Sequence, residues 1–177
     1  KTWQIGAIRS ELQQSAEVAM KRIMRDLTFT TITSLKIDSG GKVIIFETSL
    51  DPVSGEFKYD DNNGAPVWQG YVLYYTTGSS NNQVLFRKYI SRTDISKTAS
   101  SFPMTFPFST GAYCTKGSTL ARNLNGINFQ KSGPIITVRI TYEKNINASA
   151  RVSIMEGRSS KTGTERFEIT SSVETKN

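Results

Sequence analysis

Few residues in this chain are of types that do chemistry, and their spacing narrows the choice. There is no histidine among 177 residues, which removes imidazole acid–base work, His-based triads and His-ligated zinc. Cys114 is the single cysteine, so it has no second thiol for a redox pair or an internal disulfide. Lys116 alone is thin activation for a nucleophile, and Cys114 reads as an inert thiol. Asp51, Glu56, Asp60 and Asp61 crowd one stretch together with Asn62 and Asn63. Oxygen ligands on a loop suit calcium, which makes these four carboxylates the calcium candidates. Their spacing does not fit an EF-hand, and Asp-Asp-Asn-Asn-Gly is also a turn signature. No phosphate-cradling glycine loop occurs, and no set of acid, base and nucleophile is visible. The expectation is a protein that is not an enzyme, with no catalytic residues and no cofactor beyond that calcium candidate.

Arg87, Lys88 and Arg92 flank Tyr89. Cations beside an aromatic ring are the chemistry of single-stranded nucleic acid binding. They define an alternative function, a basic module for nucleic acid or a surface ligand, in DNA uptake or adhesion. Lys21, Arg22 and Arg25 make a second basic group, read as a solvated helix face. The formal charge is +7 and is uneven. Residues 31–83 hold three basic and six acidic groups, and residues 84–177 hold fourteen and six. Phe102, Met104, Phe106 and Phe108 alternate, with Pro103 and Pro107 on the other face. Proline bars this segment from a central strand, so it reads as an edge strand or covering flap. Its alternative role is docking a neighbouring subunit through Phe102 and Phe106.

These residues must be held by something. From Thr2 to about Phe29, apolar residues including Trp3, Ile5, Ile8, Leu12, Ala16, Ala19, Met20, Ile23, Met24 and Leu27 recur mostly at steps of three or four. That spacing predicts an amphipathic helix starting near Thr2 and stopping around Thr28 to Thr30, where β-branched residues accumulate. Glu17–Lys21 and Arg22–Asp26 are four apart and are expected to pair on its solvent side.

Everything downstream reads as short strands. Leu35–Asp38 and Val43–Thr48 flank Ser39-Gly40-Gly41 as a hairpin. Val67–Tyr75 and Val84–Ile90 form another, with Glu56–Tyr59 a short strand between turns. Ile136, Val138, Ile140 and Tyr142 share a face; Ala150, Val152 and Ile154 repeat the pattern, as do Phe167, Ile169 and Val173. No internal repeat or domain linker is visible. The expected class is α+β: a long N-terminal helix packed on a largely antiparallel sheet, as one domain over 1–177, with helix 1–29 and β-rich body 30–177.

Three stretches carry a family resemblance. The first is Ser10-Glu11-Leu12 through Ala19-Met20-Lys21-Arg22-Ile23-Met24-Arg25-Asp26-Leu27. The second runs from Val43-Ile44-Ile45-Phe46-Glu47 to Pro66-Val67-Trp68-Gln69-Gly70-Tyr71-Val72-Leu73-Tyr74-Tyr75. The third runs from Ala121-Arg122-Asn123-Leu124-Asn125-Gly126-Ile127-Asn128-Phe129 through Ile135–Tyr142 and ends in Arg166-Phe167-Glu168-Ile169-Thr170-Ser171-Ser172-Val173. This layout resembles the soluble region of type IV pilin-like proteins, especially minor pseudopilins of type II secretion and related minor pilins.

The resemblance implies a pilin-like fold. It implies a structural subunit of a pilus or secretion pseudopilus, acting by filament assembly with other pilin-like subunits. It further implies an N-terminal membrane segment upstream of Lys1, anchoring the precursor in the bacterial inner membrane. The place would then be periplasmic or extracellular. The resemblance also raises interest in calcium, which some members of that family bind. A helix of about 28 residues is ~42 Å long, whereas strands of five or six residues span only ~17–20 Å. The expected partner contacts are therefore Trp3, Ile5 and Ile8, on turns that outrun the sheet.

Overall fold

The computed structural model describes residues 2–80, 82–91, 113–146 and 163–175, with side-chain surroundings for 13–80, 82–91, 113–142 and 167–175. Helix α1 spans Thr2–Thr28. It stops where the sequence turns to Thr28-Phe29-Thr30-Thr31, and the new partners are specific. The Thr28 hydroxyl donates back to the Met24 carbonyl at 2.8 Å, and the Thr30 hydroxyl donates to the Glu47 carbonyl at 3.1 Å. Hydroxyl bonds of this kind compete with helix propagation. A short 3-10 turn, Ile32–Ser34, leads into the strands.

Eight strands follow among the described residues: β1 Leu35–Ile37, β2 Ile44–Thr48, β3 Gly70–Thr77, β4 Gln83–Ser91, β5 Ser118–Leu124, β6 Gly126–Ser132, β7 Ile135–Ile146 and β8 Gly163–Glu174. They form two antiparallel sheets, a five-stranded one in the order β1-β2-β3-β4-β5 and a three-stranded one in the order β6-β7-β8. Only Asn125 separates β5 from β6, and its N–H donates to the Thr141 carbonyl at 2.8 Å. A second tie joins the sheets, from the Phe129 N–H to the Gly41 carbonyl at 2.7 Å.

The main core lies between the sheets and under the helix. Ala16, Ala19, Met20, Ile23 and Leu27 of α1 meet Ile44, Phe46, Val72 and Tyr74 of the first sheet and Ile127, Phe129, Ile136, Val138, Ile140 and Tyr142 of the second. A separate cluster sits on the opposite face of the first sheet: Val43, Ile45, Tyr71, Leu73, Tyr75 and Ile90.

The α+β expectation of a pilin-like long helix covering one sheet is corrected. The chain is mostly antiparallel β, eight strands in two sheets, with α1 its single α-helix among the described residues. The physical reason lies in β2, where all five residues are buried. A strand buried on both faces needs a cover on each side, and one helix supplies only one.

The local expectations divide. β1 and β2 pair as a hairpin with Leu35 opposite Phe46, and β3 and β4 pair with Tyr74 opposite Arg87. Segment 56–59 is not a strand; it holds isolated bridges, Leu50 with Phe57 and Tyr59 with Pro66. The expected strand around Ala150, Val152 and Ile154 lies outside the described residues. The length comparison also changes. β7 and β8 have twelve residues each, roughly 40 Å at 3.4 Å per residue. They equal the ~40 Å of α1, so strand length gives no reason for the first helical turns to outrun the body. No helix among the described residues is long and apolar enough to cross a membrane.

Candidate functional site

The last turn of α1 carries Asp26 on its buried side, three residues after Ile23 and seven after Ala19. A carboxylate there faces the negative end of the helix dipole and is removed from water, so it needs strong partners. It has them. The Tyr74 hydroxyl donates to Asp26 Oδ2 at 2.7 Å, and Arg87 Nε donates to the same oxygen at 2.6 Å. Arg22 Nε stands 3.7 Å from Oδ1. Tyr74 and Arg87 are directly opposite on β3 and β4, so the hairpin register presents both to one point on the helix.

Burial, then the Asp26 carboxylate, push the Tyr74 phenol well above its usual range. For Arg87, burial works against the charge, but Asp26 and Tyr74 together outweigh it and the guanidinium stays charged. Arg87 Nη2 is buried and makes no hydrogen bond. The arrangement is an ion pair and a phenol bonded to the same carboxylate. Its groups stabilise one another and leave no free base or nucleophile.

The cations expected to bind nucleic acid are separated by this geometry. Arg87 is spent on Asp26. Lys88 points the other way, as successive strand residues do, and its Nζ donates to the Tyr113 carbonyl at 2.9 Å. Tyr89 packs against the main core, and Arg92 lies outside the described residues. Of the helical cations, Lys21 is exposed, Arg22 pairs with Asp26, and Arg25 lies 6.0 Å over the Phe57 ring. The Arg22–Asp26 pair exists, but Asp26 is in the core and not on the solvent side.

The calcium candidates occupy an arm between β2 and β3, residues 49–69. Two turns of the same build stand side by side on it. In the first, Asp51 Oδ1 accepts the Val53 N–H at 2.8 Å, the Asp51 carbonyl accepts the Gly55 N–H at 2.9 Å, and Asp51 N–H reaches the Glu56 carbonyl at 2.8 Å. In the second, Asp60 Oδ1 accepts the Asn62 N–H, the Asp60 carbonyl accepts the Gly64 N–H, and Asp60 N–H reaches the Ala65 carbonyl, each at 2.8 Å. Gly55 and Gly64 have φ of 73° and 65°, the left-handed region where other residues are strained.

The flanking bridges match as well, Leu50 with Phe57 and Tyr59 with Pro66. The arm is thus a tandem with a nine-residue step, where sequence reading expected no repeat. Only the shared Asp-x-x-x-Gly spacing signalled it. Hydrogen bonds from Val53 and Ser54 hold the Asp51 carboxyl below its usual range. Glu56 and Asp61 are exposed. Among the described residues no group of three or more His, Cys, Asp or Glu converges for a metal.

Cys114 is half-buried beside the second core cluster, and burial raises its thiol pKa while Lys88 opposes the rise. Trp3, Ile5 and Ile8 fall on the backbone of α1, but their side chains lie outside the described residues. Phe102 and Phe106 lie outside them altogether. The Asp26–Tyr74–Arg87 cluster was missed by sequence reading. Its one local signal was an acid on the apolar stripe. No protein-family model, no curated protein and no solved structure matches the chain.

Proposed function

We propose that this chain is a structural subunit that acts through protein–protein contacts in a filament, of the pilus or secretion-pseudopilus kind its sequence resembles. The observation that carries the reading is the disposition of α1. It is one uninterrupted helix of 27 residues, docked by Ala16, Ala19, Met20, Ile23 and Leu27 and pinned by Asp26. Its outer face at Gln14, Val18, Lys21 and Arg25 is exposed, with Val18 at 62%. A helix held on one side and open on the other suits packing against the helices of other subunits.

The nucleic-acid alternative loses support, because Arg87 and Lys88 are engaged inside the fold. Assembly of the full-length protein in its native cells tests the reading. Val18→Glu should lower filament yield several-fold at an unchanged Tm. Filaments that form normally with a charge at that position would remove the helix face from the proposal.

A further inference from the structure

The tandem arm and the far end of the first sheet carry opposite character, and we infer that they meet between copies of this chain. The arm follows β2 at Thr48 and precedes β3 at Gly70, so it stands at one end of the five-stranded sheet. The turn from β1 to β2 and the last residues of β5 stand at the other end, since Ile44 pairs with Tyr74 and Leu124 with Gln83.

Residues 51–69 hold four acidic groups and one lysine, a net −3 on a chain of +7. The arm also shows apolar surface to water. Val53 is 95% exposed at the first turn, and Tyr59 and Val67 are each 43% exposed. Its turns are closed by their own hydrogen bonds, so docking there orders little backbone. Among the residues whose side chains are described, the exposed charges at the opposite end of this sheet are Lys42 and Arg122. The acid beside them, Asp38, turns its carboxylate onto the N–H groups of Gly40, Lys42 and Val43. Arg25 lies against Phe57 at the base of the arm, and no ion pair among the described residues reaches the exposed Glu56 or Asp61.

Two acidic arms repel, which disfavours an arm-to-arm, two-fold contact. Arm against far end is complementary and heterologous, and a heterologous contact that does not close gives an open filament. The proposed partner is a second copy of this chain. Its Lys42 and Arg122 receive Glu56 and Asp61, and its surface covers Val53. This inference rests on the assembly reading above and adds the contact and its direction.

Sedimentation of the full chain tests it by charge exchange. Glu56→Lys with Asp61→Lys reverses the arm, and Lys42→Glu with Arg122→Glu reverses the far end. All four sites are exposed, and thermal melts confirm that each variant folds. Each variant alone should self-associate about tenfold more weakly than the parent at low salt, because like charges then face each other. An equimolar mixture of the two variants should regain association, since each supplies the end that the other needs. Raised salt should weaken the parent and the mixture alike. Unchanged association of the single variants, or a mixture that stays dissociated, overturns the contact and leaves the filament reading standing. A parent chain that is monomeric by itself yet enters filaments of other subunits overturns the second-copy partner alone. A chain that enters no filament removes both.

Discussion

Asp26 is the residue on which most of the polar architecture turns. Its oxygens hold Tyr74 and Arg87 from β3 and β4 and Arg22 from its own helix. Asp26→Asn leaves the Arg87 charge buried without its counter-ion. A buried pair broken on one side costs about 3–5 kcal/mol, and a denaturant midpoint reports it. Replacing both groups, Asp26→Leu with Arg87→Met, should recover much of that loss, because desolvation of two charges is then relieved. Tyr74 gives a pH signature. Its folded pKa lies above its ordinary 10.0, so the fold favours the neutral phenol. The stability this contributes is present below pH ~10 and is lost as pH climbs from there through the folded value. Tyr74→Phe should flatten the alkaline fall of a Tm-versus-pH series; an unchanged fall would assign it to other groups.

The helix and the arm are elements held by different physics. In α1 the binding surface is apolar and fully buried at Ile23, with 0% exposure. Ile23→Ala should cost about 2–4 kcal/mol in a denaturant melt, from lost transfer energy and the cavity left behind. Unchanged midpoints would contradict the packing. The arm depends instead on backbone geometry. Gly55 and Gly64 both have positive φ with nothing within 4 Å of where a Cβ would stand. Alanine there meets strain without a clash, so Gly55→Ala and Gly64→Ala should each cost about 1–2 kcal/mol of local stability. Matching turns predict matching costs. Proteolysis of the arm, compared between the two variants, checks this, and a large difference would mean that the turns are not equivalent in solution.

Across the whole molecule, the arrangement of two sheets and one helix sets which surfaces remain for partners. The strands β7 and β8 are as long as α1, so the question of partner contact at Trp3, Ile5 and Ile8 passes from length to protection. Under the assembly reading, amides of residues 5–9 exchange faster than those of residues 20–25 in the isolated chain and slow on assembly, because protection follows local packing. Equal and strong protection along the helix of a verified monomer would place the first turns in the body already. Those three residues would then be covered by the body and have no surface left for a neighbour.

Short-range order alone decided much of this molecule. The helix was legible because Ala16, Ala19, Met20, Ile23 and Leu27 repeat at its period. The strands were legible because Ile136, Val138, Ile140 and Tyr142 alternate. The turns were legible because Asp and Gly have conformational preferences of their own. Alternation says which face of a strand is apolar but not which sheet that face belongs to. The division into two sheets was therefore out of reach, whereas the burial of β2 on both sides had a local signal in the unbroken apolar run Val43-Ile44-Ile45-Phe46. The same limit hid the polar cluster. Asp26, Tyr74 and Arg87 lie 48 and 61 positions apart along the chain, and no local pattern links them. Only folding sets the β3–β4 register opposite the last turn of α1, and in that register Arg87 becomes the counter-ion of a buried carboxylate instead of a surface cation.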